Sequence, residues 1–396
     1  MDERLKAKFN SNINLYYFFS FIGSIQFYGP IFAIFFQSFS LNQTQILSFL
    51  SIYAISTIIF EIPTGILSDY IGRKKTLLIS SVLLTFSFLI FSFGKEYWHF
   101  LMAYLVMGLA SSFSSGTEQA FLYDTLLNLK SENKFKKIIG RAGLYASLSI
   151  MLSMALGGFL FTLNKQLPYL LTAVISSLNI VLVLFFTEPK RIQPNKNLFK
   201  HTMSSFKIFR KNKLFLMLAL FGVTTAGAIV ISYFLVQQYY SLIGISASLI
   251  GLIVVVSKLI EALSAKYAHK IENKLKITKS LIFISIFIVA GYLLISLYSF
   301  KWAFIFVYLL SISSGFSGPI LSDYINRYIS SDKRATILSI NSQLRNVVFL
   351  LVPLLIGRVA DISVQLAFKV MAISTAIIYL FLLYNLFKLI NSKRYN

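Results

Sequence analysis

Long stretches of the chain carry no charge. Residues 13–60 hold no Asp, Glu, Lys or Arg over 48 positions, and residues 214–257 hold none over 44. A helix needs about 20 apolar residues to cross a hydrocarbon core of ~30 Å. Each run therefore predicts two membrane spans joined by a tight turn. Turn chemistry marks the joints: Ser40-Leu41-Asn42-Gln43-Thr44 in the first run, and Ser241–Ser246 around Gly244 in the second. Single-span runs follow at 76–94, 280–300, 302–322 and 370–387, and residues 142–187 split around Asn164–Pro168. The pattern predicts twelve helices, at 13–39, 44–68, 76–94, 97–126, 138–162, 168–187, 214–239, 246–267, 280–299, 302–327, 335–357 and 366–388. The expected fold is an all-α polytopic membrane protein. No small-residue cleavage site follows the first apolar run, so it is read as a retained span, not a signal peptide.

Composition agrees with membrane residence. Charged residues make up 13% of the chain, against about 25% in soluble domains, so water cannot be its main solvent. Cysteine is absent, which removes disulfides and thiolate sites, and three histidines make a His-built metal site unexpected. No cofactor is expected. The net charge of +23 would suggest nucleic acid in a soluble protein. Its distribution argues otherwise. With the amino terminus inside, cytoplasmic segments carry 30 of the 37 Lys and Arg, and the outer loops carry four. This is the positive-inside bias, and it places both termini in the cytoplasm with anionic lipid as the partner of the basic loops. Trp98 and Trp302 fall at outer helix starts, where an interfacial aromatic belt would put them.

The longest loop, Glu188–Lys213, is basic, carries two prolines and follows the sixth span. It divides the chain into residues 1–187 and 214–396, two bundles of six helices. The halves match in order: Glu61 with Glu261, Asp124 with Asp323, Arg141-Ala142-Gly143 with Arg334-Ala335-Thr336, and Trp98 with Trp302. Parallel repeats of six helices are a recurring build for secondary transporters, with the substrate site between the halves.

Between spans two and three stands Gly65-Ile66-Leu67-Ser68-Asp69-Tyr70-Ile71-Gly72-Arg73-Lys74-Lys75-Thr76. This resembles the G-x-x-x-D-x-x-G-R-K-x signature of the major facilitator superfamily, in the expected loop. The resemblance implies alternating access by two rocking six-helix bundles. It implies a cytoplasmic gate of Gly65, Asp69, Gly72, Arg73 and Asp124, with Asp69 capping the helix that starts near Ala335 and Arg73 reaching Asp124. Gly65 and Gly72 are expected to permit close helix approach and a tight turn. The bland reading of Arg73, Lys74 and Lys75 is that they are positive-inside residues. Glu61-Ile62-Pro63-Thr64, together with Glu118-Gln119-Ala120 through Asp124, resembles a bacterial drug-exporter-like branch. The equivalent segment of the second half, Ala265–Lys270, lacks the Gly and Asp, and Ala155-Leu156-Gly157-Gly158 lacks the Gly-Pro usual in exporters.

Five ionisable residues fall inside predicted spans: Glu61, Glu118, Lys258, Glu261 and Arg345. Such groups are functional hypotheses by default. At ~1.5 Å per residue, Glu118 and Arg345 lie about 15 Å deep, near the midplane. Glu118 sits on a stripe of Gly108, Ser111, Ser115 and Glu118, and by the superfamily's architecture span four borders the central cavity. Glu118 and Glu61 are the candidates for proton coupling. Gln26, Glu118, Gln237, Asn341 and Arg345 are the candidate cavity and substrate residues. Lys258 and Glu261, one turn apart, are expected to form a structural intramembrane ion pair.

The expected function is secondary transport of a small organic solute, coupled to protons, with export favoured, in a bacterial inner membrane and as a monomer. The competing reading is an uptake symporter for a nutrient or metal chelate. A polytopic membrane enzyme would need clustered His or Asp at a membrane face, which the sequence does not offer. A channel fits poorly with repeated halves and an asymmetric gate.

Overall fold

The computed structural model describes residues 3–190, 213–327 and 334–391, with the side chains of 325–343 and 390–391 outside the description. The described residues are helical and contain no strand. In a hydrocarbon solvent every backbone N–H and C=O must be satisfied within the segment, which a helix does by itself. Thirteen α-helices follow one another among the described residues: α1 Glu3–Gly23, α2 Phe32–Gln37, α3 Gln43–Ile71, α4 Arg73–Phe93, α5 Tyr97–Ser114, α6 Thr117–Asn128, α7 Phe135–Leu163, α8 Leu167–Phe185, α9 Lys213–Leu242, α10 Ala247–Leu297, α11 Val307–Arg327, α12 Arg334–Ile362 and α13 Val364–Asn391. Among the described residues, nine helical segments are long and apolar enough to cross a membrane.

Two departures from the predicted spans have local causes. The span predicted at 13–39 is not one helix. α1 ends at Gly23, Ile25 and Gln26 are non-helical, and a 3₁₀ turn at Gly29–Ile31 leads into α2. Pro30 lacks an N–H, and its ring clashes with the carbonyl four residues back, that of Gln26. The span predicted at 97–126 also breaks, where Gly116 turns through φ 74° and separates α5 from α6. The predicted spans 246–267 and 280–299 remain two helices that meet at Lys276 (φ 56°, ψ 172°), so α10 is two helical segments across a sharp kink. The Lys, Glu and Ala of residues 265–275 are good helix formers and carry the first segment past the apolar stretch as far as the kink.

The chain divides into two compact units. The first comprises Met1–Leu41, Phe49–Asn195 and Ala247–Leu252. In it α4 packs against α5 and α8, and α1 against α7 and α8. Buried hydroxyls join α4 to α5: Ser80 donates to the Ala110 carbonyl and Ser87 to that of Ala103, both at 2.8 Å. Small polar residues of this kind let membrane helices approach closely. An aromatic cluster fills one end, with Phe35 and Tyr169 ring centroids 4.4 Å apart and Phe49 stacked on Tyr104 at 5.1 Å. Gly157 packs so closely on the Phe27 carbonyl that a Cβ would overlap it.

The second unit comprises Asn42–Ser48, Lys196–Ser246 and Ile253–Asn396. α9 is its centre and packs against α11, α12 and α13. Its neighbours are pinned by tyrosine hydroxyls: Tyr292 donates to the Ala228 carbonyl at 2.6 Å, and Thr225 and Tyr379 share a bond of 3.0 Å. Trp98 and Trp302 are both exposed at helix starts, which suits amphipathic rings at a headgroup level.

Candidate functional site

The α3–α4 turn gathers the charges of the signature loop. Ser68 and Asp69 close α3, Gly72 turns through φ 105°, and α4 begins at Arg73. That φ is open to glycine at no steric cost. Arg73 then reaches two carboxylates, Asp69 Oδ1 at 3.4 Å and Asp124 Oδ2 of α6 at 3.8 Å, and donates to Ser68 Oγ at 3.1 Å. The planar guanidinium can serve several acceptors at once, which an ammonium on a flexible stem does less well. Arg73 thus ties α6 to the junction of α3 and α4.

The same turn holds a residue that the sequence reading treated only as the start of a loop. The Glu188 carboxylate, beyond the end of α8, accepts the backbone N–H of Arg73 and that of Lys74, each at 2.7 Å. The first N–H groups of a helix have no partner inside it, and a carboxylate there also opposes the positive end of the helix dipole. Lys74 Nζ donates to the Leu184 carbonyl at 2.7 Å and closes the link from α4 to α8. Nearby, Asn12 of α1 exchanges two bonds of 2.8 Å with the backbone of Thr187. The pattern of spans offered no signal for Glu188 or Asn12, because their partners lie 114 and 175 residues away.

Gly65 does not act as a close-packing glycine among the described residues. A Cβ there would meet nothing within 4 Å. The helix start near Ala335, expected to be capped by Asp69, lies outside the described side chains, as does Asn341.

Glu118 sits in the first turn of α6, immediately after the break at Gly116, and is half-buried. Ser114 Oγ donates to its Oε1 at 2.9 Å. The expected stripe does not continue to it. Gly108 faces Ser56 of α3, and Ser111 accepts the Tyr53 hydroxyl at 2.8 Å. These two positions are helix–helix packing, and the turn at Ser115–Gly116 re-aims the chain before Glu118. Glu61 is half-buried on α3, one turn before Thr64, whose hydroxyl bonds to the Phe60 and Ser112 carbonyls. Gln26 lies in the non-helical break after α1, and its backbone N–H donates to Ser153 Oγ at 3.0 Å.

In the second unit Lys258 Nζ stands 2.8 Å from Glu261 Oε2, and Ser314 of α11 donates to Glu261 Oε1 at 2.7 Å. The pair is not sealed in a core. Its side chains remain 38% and 31% exposed, and both line a cavity that Gln237 also lines. Stranding one partner therefore costs less than the about 3–5 kcal/mol of a fully buried pair. Arg345, on α12, is exposed. The structure thus brings Arg73, Asp69, Asp124 and Gly72 together, and separately Lys258, Glu261 and Gln237. Among the described residues no group of three His, Asp or Glu could hold a metal.

The sequence model of the Major Facilitator Superfamily matches residues 15–353. The chain belongs to the major facilitator superfamily. It is 23% identical over 348 residues to the class H tetracycline resistance protein of Pasteurella multocida, covering 84% of each chain. It is 22% identical over 346 residues to the uncharacterized MFS-type transporter YxaM of Bacillus subtilis, covering 83% of this chain and 84% of the relative. Among solved structures it resembles the nucleoside transporter NupG, with a TM-score of 0.78 at 14% identity over 95% of this chain and 99% of that one. It also resembles a bacterial homolog of the human lysosomal transporter Spinster, with a TM-score of 0.74 at 13% identity over 98% and 99% of the two chains. These structural likenesses speak for a major facilitator fold. The protein is accordingly a membrane-spanning transporter of that superfamily, and Arg73, Asp69 and Asp124 stand in its signature loop and the adjoining α6.

Proposed function

We propose that the protein is a secondary active transporter that moves a small organic solute across a bacterial inner membrane by alternating access, coupled to protons. In this reading twelve spans form two six-helix bundles, residues 1–187 and 214–396, with both termini cytoplasmic and the chain acting as a monomer. The observation that carries it is the Arg73 cluster at the α3–α4 turn. Arg73 stands between carboxylates of two helices, 3.4 Å from Asp69 and 3.8 Å from Asp124, both longer than a close charge-assisted bond. Contacts of that kind can form and release as helices shift, which a gate requires. Asp69, Arg73 and Asp124, with Gly72 shaping the turn, are the gate of this reading.

Glu118 and Glu61 are the proton carriers of the proposal. Both are half-buried carboxyls within predicted spans, Glu118 accepting the Ser114 hydroxyl, and ionisable groups in such positions mark proton relays. Export is favoured by the likeness to a tetracycline resistance protein, because a membrane transporter gives resistance by moving the compound outward. The test is a solute screen in inverted vesicles with and without an imposed pH gradient. Uptake into the vesicles driven by an acid interior supports proton-coupled export. Gradient-independent equilibration of every solute tried would remove the coupling.

A further inference from the structure

A cavity of about 70 Å³ lies within the second unit, walled by α9, α10 and the first two turns of α11. By volume it has room for roughly five waters. Its wall is mixed. Val236, Leu310 and the ring of Tyr240 supply an apolar surface, and Lys258 and Glu261 supply the charges.

The charged pair keeps unused donors on its cation. Both Glu261 oxygens are engaged, Oε2 by Lys258 at 2.8 Å and Oε1 by Ser314 at 2.7 Å. An ammonium carries three donors and no acceptor. Among the described residues Glu261 is the one acceptor the structure gives Lys258. The wall thus offers a guest the remaining donors of an ammonium, with the hydroxyls of Ser232, Ser257 and Ser311 and the Gln237 amide, beside an apolar face. A buried pair repays its desolvation only when its remaining lone pairs and protons are satisfied. This one is left 38% and 31% exposed at a cavity.

We infer that this cavity is a binding subsite for a small organic anion, a carboxylate on an apolar or aromatic body, with Lys258 as its counter-ion. The inference deepens the transporter reading and rests on it for its role in transport. The ligand carboxylate and Glu261 compete for one ammonium. Glu261 thus acts as a resident stand-in that holds Lys258 in place when the site is empty and is displaced when the anion arrives. The sign of this competition is distinctive: removing the Glu261 charge should strengthen anion binding, whereas removing the Lys258 charge should abolish it.

The experiment is calorimetric titration of the purified full chain in detergent with benzoate, with benzamide as the neutral isostere and benzylamine as the cation. Saturable benzoate binding is expected, with benzamide and benzylamine weaker by at least about tenfold. Lys258→Met should weaken benzoate by about tenfold or more, and Glu261→Gln should tighten it. The absence of saturable benzoate binding overturns the inference. So does equal or tighter binding of benzamide or benzylamine, or unchanged benzoate binding by a Lys258→Met variant that melts like the parent. Should Lys258→Met fail to fold, Glu261→Gln decides alone, and unchanged or weaker benzoate binding there overturns the assignment. Binding needs no gradient, so the two readings fail separately. Intact benzoate binding without any vesicle transport would sink the transport reading, and vesicle transport without benzoate binding would sink the subsite.

Discussion

Asp361, in the last turn of α12, caps the first turn of α3 from 318 residues away, accepting the backbone N–H of Gln43 and the backbone N–H and hydroxyl of Thr44. Within the second unit this carboxylate satisfies orphan donors of α3 and opposes its dipole, as Glu188 does for α4 in the first unit. Asp361→Ala is expected to destabilise the protein by about 1 kcal/mol, in the range of a lost N-cap, and Asp361→Asn by less, because the amide oxygen still accepts. Thermal unfolding in detergent measures both. Identical melting of the alanine variant and the parent would show that the contact contributes nothing.

Glu188 gives a second, independent capping test. Glu188→Ala removes two acceptors from the start of α4 and should lower stability by about 0.5–2 kcal/mol. The site is exposed, so the charge part of the effect should shrink as salt rises toward 1 M, while the hydrogen-bonding part that glutamine retains should not. An alanine–glutamine difference that grows with salt would contradict this division.

Arg73→Lys discriminates the gate from simple basic character. Lysine keeps the positive charge but loses the planar fork that serves Asp69, Asp124 and Ser68. The expectation is that Arg73→Lys, Arg73→Ala and Asp69→Asn each lower transport sharply with membrane insertion intact. Normal transport by the lysine variant would reduce Arg73 to a loop cation.

Glu118→Gln should abolish pH-driven transport and keep solute binding, since the amide preserves shape and its bond from Ser114 but cannot carry a proton. Glu61→Gln is the companion variant. pH dependence that survives in both would remove these residues from coupling.

Topology is checked with fusion reporters. Those placed after Asn195 and after Asn396 should report cytoplasm, and one inserted at Asn42 should report the outside. An external carboxyl terminus would overturn the even number of spans.

What the sequence by itself determined is what lipid and charge impose residue by residue. Runs such as 13–60 and 214–257 pointed to membrane helices, because a single segment satisfies its own backbone in hydrocarbon only as a helix. The signature from Gly65 to Thr76 identified the turn in which Gly72 adopts its φ of 105° and Arg73 meets two acidic residues. The i, i+3 spacing of Lys258 and Glu261 announced their pairing. Tertiary structure decided where local pattern is silent. Gln26 left its helix because Pro30 could not continue it. Gly108 and Ser111 face α3 rather than a cavity, since hydrophobic period cannot say which neighbour a polar face meets. Glu188 and Asp361 both fall outside the predicted spans, and packing sets them against helix starts far away in the chain. A carboxylate finds such a partner through the path of the backbone, and spacing along the sequence carries no trace of that distance.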